Sequence, residues 1–156
     1  MALGLSDATM SATRGRNLDI FLPDLAATES LGRDLAARLR PGDAVLLEGP
    51  LGAGKTALAR AMLRALCRDP ALEVPSPSYT LVQSYEAPGV MVHHFDLWRL
   101  DGPDAVLELG WDEARAGIVL VEWPDRLGKL APPGAWRVVL RHGEGDARVA
   151  QVVTPD

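Results

Sequence analysis

The stretch Gly49-Pro50-Leu51-Gly52-Ala53-Gly54-Lys55-Thr56 decides the fold. It has the spacing G-x-x-x-x-G-K-[ST], and the motif is informative only between a strand and a helix. Both neighbours are written in the chain. Residues 43–48 ("DAVLLE") form a short apolar run that suits a buried parallel strand. From about Gly54 to Arg68 the 3.6-residue period predicts a helix, with Leu58, Met62 and Leu66 as its inner stripe. Glycines let backbone N–H groups converge on an anion with no Cβ in the way, and the helix start adds its positive dipole end. The residues that would cradle phosphates are Gly49, Leu51, Gly52, Ala53, Gly54, Lys55 and Thr56. The Lys55 ammonium would reach the β- and γ-phosphates, and the Thr56 hydroxyl would bind Mg²⁺.

Composition sets the frame around this loop. The chain has 156 residues, 47% hydrophobic and 24% charged, so a single domain with a real core is expected. Its net charge of −5 argues against a general affinity for nucleic-acid backbones, DNA included, but leaves contact with RNA through a partner open. The lone Cys67 rules out an internal disulfide and fits a reducing compartment. No apolar run approaches membrane-spanning length, and a cytoplasmic location is expected. Residues 1–16 are small, polar and aperiodic and read as a disordered tail, leaving 17–156 as one domain.

Outward from the loop, residues 18–22 read as a strand and 28–40 as a helix with Thr28 at its N-cap and Leu31, Leu35 and Leu39 on one face. Residues 80–86 and 90–95 read as a hairpin across "APG", 103–115 as helical, 117–122 as a third apolar strand, and 136–142 with 147–153 as a second hairpin. The fold class is therefore α/β: a P-loop NTPase-like three-layer sandwich whose mixed sheet has a parallel centre and antiparallel hairpins.

That topology makes polar segments converge. Ligands sit beyond the carboxyl ends of parallel strands. If 90–95 and 117–122 run parallel to 43–48, Asp96 and Glu122 emerge at the phosphate edge. The partner strand 80–86 must then start at that edge. A helix of about 21 Å followed by a connection that extends to about 30 Å can return Ser76, Ser78 and Thr80 to the γ-phosphate. On this reading Glu122 is a Walker-B-like metal ligand, paired with Thr56. Asp96 is a functional carboxylate, and Ser78 is a switch hydroxyl in a segment stiffened by Pro75 and Pro77. His93 and His94 alternate across a strand, so one points inward; both read as structural. Trp98, Trp111, Trp123 and Trp136 read as core or rim, with Trp123 singled out because it follows Glu122. Arg60, Arg64 and Arg68 form a row that is either a solvated face or a docking surface.

A guanine-reading N-K-x-D element is absent, since the only asparagine is Asn17, so ATP is favoured over GTP. "DRLG" (Asp125 to Gly128) has D-x-x-G spacing but begins beyond the strand-end Glu122 and is discounted. A small P-loop kinase acting on a small-molecule hydroxyl is the rival, though the middle of the chain looks more like a switch than a lid. A module that only holds ATP is a third possibility.

"GPLGAGKT", "SPSYTLV", "HFDLWRL" and "VEWPDRLG", in this order and at these intervals, resemble the TsaE (YjeE) family over about Leu22 to Val153. The resemblance implies a slow, Mg²⁺-dependent ATPase of tRNA threonylcarbamoyladenosine biosynthesis. It implies action with a TsaB–TsaD heterodimer, and contact with tRNA only indirectly through that complex. By position, it has Lys55 and Thr56 serve the phosphates and Mg²⁺, Glu122 act as the second metal-side ligand and Asp96 support hydrolysis, and it sets Thr28 near the adenine; with the switch hydroxyl Ser78 the catalytic set is Lys55, Asp96, Glu122 and Ser78. The chain departs from the family pattern at Pro50, where aspartate is usual, at Ser78, where threonine is, and at Trp98, where tyrosine is common.

Overall fold

The computed structural model describes residues 16–155. The strands are β1 (Asn17–Leu22), β2 (Ala44–Glu48), β3 (Val82–Ala87), β4 (Val90–Asp96), β5 (Ile118–Glu122), β6 (Trp136–His142) and β7 (Arg148–Val153). They form one sheet in the order β1-β7-β6-β2-β5-β4-β3. The centre is parallel, with β2 between β5 and β6 and β4 beside β5. Both flanks are antiparallel, β3 on β4 at one side and β6-β7-β1 at the other. The expected α/β class with a mixed sheet is what the chain adopts.

Helices α1 (Leu25–Ala36) and α2 (Lys55–Leu66) cover one face. The short α3 (Pro103–Leu107) and α4 (Trp111–Ala114), with a 3-10 segment over Pro124–Leu130, cover the other. Alternation along β2 sorts the two cores. Val45 and Leu47 point to the α1/α2 side with Leu58, Met62, Leu63 and Leu120. Ala44 and Leu46 point to the opposite side with Phe95, Trp111, Val121 and Leu127. Each fully buried leucine of this kind contributes about 1.5–3 kcal/mol. Helices α1 and α2 approach closely because Gly32 meets Ala61: a Cβ on Gly32 would lie 2.5 Å from the Ala61 Cβ.

Several local expectations need correction. Asp24, not Thr28, caps α1, its Oδ1 accepting from the Ala27 N–H at 2.9 Å. Thr28 is a buried residue inside the helix. The helix also ends earlier than expected, at Ala36, because its last turn tightens through Arg38 N–H to Leu35 O and Leu39 N–H to Ala36 O. Pro41 then disfavours helical backbone at Arg40. The helical patch 103–115 divides at Gly110, whose φ of +85° interrupts it. A 3-10 segment over Pro124–Leu130 follows β5, where the sequence pattern predicts no element.

The tail reading of residues 1–16 lies outside the described residues except at Arg16. There the backbone N–H donates to Thr154 Oγ1 at 2.9 Å, and the Thr154 N–H returns to Arg16 O at 3.0 Å. Among the described residues no helix is long and apolar enough to cross a membrane.

Candidate functional site

The loop after β2 bends back on itself before α2 begins. Gly49 has φ +147°, and a Cβ there would lie 2.6 Å from Leu140 O, so only glycine fits. Gly54 has φ +105° immediately before the first helical residue, Lys55. A Cβ on Gly54 would meet nothing within 4 Å and would project into open space at the helix start. Ala53 is buried beneath the loop and Leu51 is exposed above it. Pro50 is exposed, and its carbonyl accepts from Ala53 N–H at 3.1 Å.

A pocket of about 260 Å³ opens at this helix start, lined by Leu51, Gly52, Gly54, Lys55, Thr56, Ala57, Ser76, Ser78, Asp96, Glu122 and Trp123. Register brings its acids together: Asp96 on β4 is the partner of Glu122 on β5, which in turn faces Leu47 on β2. The Thr56 hydroxyl donates to Glu122, at 2.9 Å from Oε1 and 3.0 Å from Oε2. The Ser78 hydroxyl donates to Asp96 Oδ2 at 3.2 Å, and Ser76 Oγ lies 2.8 Å from Ser78 Oγ. Asp96 Oδ1 accepts from the Trp98 N–H at 3.1 Å. Both acids are buried.

Lys55 is only 5% exposed. Its Nζ donates to Gly49 O at 2.5 Å and Pro50 O at 3.1 Å, and sits 4.0 Å from the Trp123 ring centroid. Burial lowers its pKa from the ordinary lysine value, while the carboxylates of Glu122 and Asp96 pull in the opposite direction. Lys55 is thus a desolvated lysine held by two carbonyls and an indole face, with two carboxylates acting on it.

Trp123 has φ +59° and ψ +55°, a left-handed backbone that costs a bulky residue on the order of 1–3 kcal/mol. Its ring packs on Trp98, centroids 4.4 Å apart. It also walls a second, larger cavity of about 510 Å³ lined by Glu48, Gly49, Pro124, Asp125, Gly128 and Arg137 among others. Asp125 and Gly128 of "DRLG" thus line that cavity and not the pocket holding Lys55.

The arm that carries Ser76 and Ser78 is tied down along its length. Arg60 Nε donates to Val74 O at 3.3 Å and Arg64 Nε to Leu72 O at 2.9 Å. Arg99 Nε donates to Ser78 O at 3.0 Å, and its Nη2 bonds both Ser78 O and Tyr79 O. The arm ends at Leu81 with φ +70°, whose N–H donates to Pro77 O at 2.6 Å. The arginine row, read from sequence as a solvated or docking face, therefore spends two of its members on the arm.

Of the residues expected at the site, Lys55, Thr56, Ser78, Asp96 and Glu122 come together with Leu51, Gly52 and Gly54. Gly49 and Ala53 support the loop from below. Thr80 does not join: its Oγ1 accepts from Gln83 Nε2 at 2.9 Å. Thr28 is buried in α1 and does not line the pocket. Sequence reasoning missed His94. It is fully buried, with Nε2 2.7 Å from Glu122 Oε2. The signal available was the His-x-Asp spacing at a strand end, which puts His94 and Asp96 on one face. His93 instead pairs across the hairpin, its Nδ1 2.7 Å from Ser84 Oγ, and burial lowers its pKa from 6.5.

One carboxylate and one hydroxyl beside the glycine-rich loop have the donor chemistry of a hard cation such as Mg²⁺, which takes few protein oxygens. Among the described residues no group of three His, Cys, Asp or Glu side chains gathers to hold a metal alone.

A family model described as "Threonylcarbamoyl adenosine biosynthesis protein TsaE" matches residues 22–150. A protein of Rickettsia conorii named "tRNA threonylcarbamoyladenosine biosynthesis protein TsaE" is 36% identical over 81% of this chain and 73% of its own. One of the same name from Synechocystis sp. is 39% identical over 73% of this chain and 74% of its own. Among solved structures, "Crystal structure of Bacillus subtilus YdiB" superposes with a TM-score of 0.73 over 93% of this chain and 90% of that one. At 23% identity it speaks for the fold.

Proposed function

The chain belongs to the TsaE family, and from that premise we propose that it serves tRNA threonylcarbamoyladenosine biosynthesis as a cytoplasmic, Mg²⁺-dependent ATPase subunit. The observation that carries the ATPase reading is the convergence of Lys55, the Thr56–Glu122 hydrogen bond and the Ser78–Asp96 hydrogen bond around one pocket. Its partners are the TsaB–TsaD heterodimer, and tRNA is met through that complex.

The residues divide the work by charge. Lys55 and the helix start hold the β- and γ-phosphates. Thr56 and Glu122 are the residues that would hold Mg²⁺, which would supply positive charge against the negative charge developing on the phosphates. Asp96 has one oxygen committed to the Trp98 N–H and one to the Ser78 hydroxyl. Those two bonds fix the carboxylate, and the second lone pair on each oxygen can still accept from a nucleophilic water, while Ser78 reports whether the γ-phosphate is present. Trp123 shields Lys55 from solvent and strengthens its field in the pocket. No observation favours a kinase acting on a small-molecule hydroxyl.

Two measurements test this. Lys55→Ala is expected to lose calorimetrically detectable ATP binding, since the cradle loses its only ammonium; unchanged affinity refutes the site. Reconstituted tRNA modification with TsaB and TsaD is expected to depend on this chain and on ATP. Equal modification without it refutes the pathway role.

A further inference from the structure

We infer that His94 is a positioning residue for Glu122, holding one carboxylate oxygen so that the other, together with the Thr56 hydroxyl, meets the metal. This rests on the reading of the pocket as an Mg²⁺–nucleotide site.

The geometry is specific. His94 lies on β4 two residues before Asp96, on the same face, with no solvent exposure. Its Nε2 is 2.7 Å from Glu122 Oε2, and Glu122 is itself 2% exposed. A carboxylate accepts only, so the proton on this bond belongs to Nε2. The other ring nitrogen, Nδ1, is buried with no hydrogen-bond partner among the described residues. A proton on Nδ1 would be left without an acceptor, at roughly 1–3 kcal/mol. The imidazole is therefore the Nε2–H tautomer, a one-sided donor aimed only at Glu122.

A histidine kept for packing would tie its nitrogens to the backbone or be replaced by an apolar side chain without an orphaned atom. Here the ring gives up satisfaction of Nδ1 to make one short bond to the acid. That acid must present itself at a fixed angle. Glu122 carries its carboxylate on a flexible side chain at the end of β5. The Thr56 hydroxyl is bifurcated over both its oxygens, at 2.9 and 3.0 Å, and so does not select one. His94 does, by engaging Oε2 alone. Partners behind a ligating group commonly change metal affinity by about 10–100-fold.

The test is a Mg²⁺ titration of the full chain with a fluorescent, non-hydrolysable ATP analogue, run beside the same binding measurement in EDTA. His94→Leu and His94→Met both remove the donor while keeping bulk, so that one folded variant suffices. His94→Gln returns an N–H near the Nε2 position. The donor-less variants are expected to raise the half-saturating Mg²⁺ concentration about tenfold or more, with Mg²⁺-free affinity within about twofold and His94→Gln restoring most of the loss. Unchanged Mg²⁺ dependence overturns the proposal. So does a parallel fall of both affinities unrescued by glutamine, which marks a packing role. Wild-type protein that binds the analogue with no Mg²⁺ dependence overturns the underlying metal reading, and is told apart because it appears before any substitution.

Discussion

Arg99→Ala isolates the arm that carries Ser78. In the folded protein Arg99 donates from Nε and Nη2 to Ser78 O and from Nη2 to Tyr79 O, and its guanidinium lies 5.5 Å from the Tyr79 ring centroid. These groups are exposed, so water replaces the lost donors and no buried acceptor is orphaned. What remains is the difference between a tethered and an untethered arm. Hydrogen bonds to a charged donor contribute about 1.5–3 kcal/mol, and exposure puts this set at the lower end, about 1.5 kcal/mol. At about 1.4 kcal/mol per decade, the opening equilibrium of the arm rises roughly tenfold. The strained backbone of Leu81 adds a spring that favours release once the tether is gone.

The assay is native-state amide hydrogen exchange. The Leu81 N–H, bonded to Pro77 O, reports the closed arm directly, and the Leu120 N–H in central β5 serves as the control. Protection at Leu81 is expected to fall about tenfold while Leu120 is unaffected. Unchanged protection at Leu81 refutes the tether. An equal fall at both amides refutes the locality of the effect.

Glu122→Gln is expected to abolish the Mg²⁺-dependent gain in nucleotide affinity while changing stability by less than about 2 kcal/mol. The amide oxygen can still accept from His94, and its NH₂ can donate to Thr56 Oγ1. Equal loss of Mg²⁺-free binding, by calorimetry, would assign Glu122 to folding instead. Gly117→Ala sets a Cβ 2.3 Å from Met91 O and is expected to destabilise by about 1–3 kcal/mol, read as a lower midpoint in urea. An unchanged midpoint would mean that the entry to β5 gives way more easily than the contact implies. The depressed pKa of His93 means the unfolded chain binds a proton there more readily than the folded one. That contribution to stability is complete above 6.5 and is lost as pH falls below it. His93→Gln is therefore expected to shallow the decline in urea midpoint between about pH 7 and 5; an unaltered slope refutes the assignment.

The parts of the fold legible in the sequence were those set by local pattern. Apolar runs at 44–48 and 118–122, the loop glycines and the turn at Pro88-Gly89 each act within a few residues. The convergence of Asp96, Glu122 and Ser78 was legible too, because one parallel arrangement of three strands dictates all three positions. What escaped is decided across the chain. Whether His94 bonds an acid depends on which strand lies beside β4, and whether Arg60 and Arg64 face water depends on where Leu72 and Val74 come to rest. The α1 cap went to Asp24 because the helix starts one turn before the apolar period becomes visible. The backbone reversal at Trp123 has no signature of its own, since tryptophan is among the residues least suited to it.

The placement of β1 bears on how the protein is made. Among the described strands its sole neighbour is β7, and Arg16 is stapled to Thr154 beyond it. β1 must wait for β7, with β2, the β3–β4 hairpin, β5 and β6 emerging in between. Closing so long a span is entropically slow. On the ribosome β1 therefore stays unpaired until β7 has emerged, an interval in which a holding chaperone would have its opportunity.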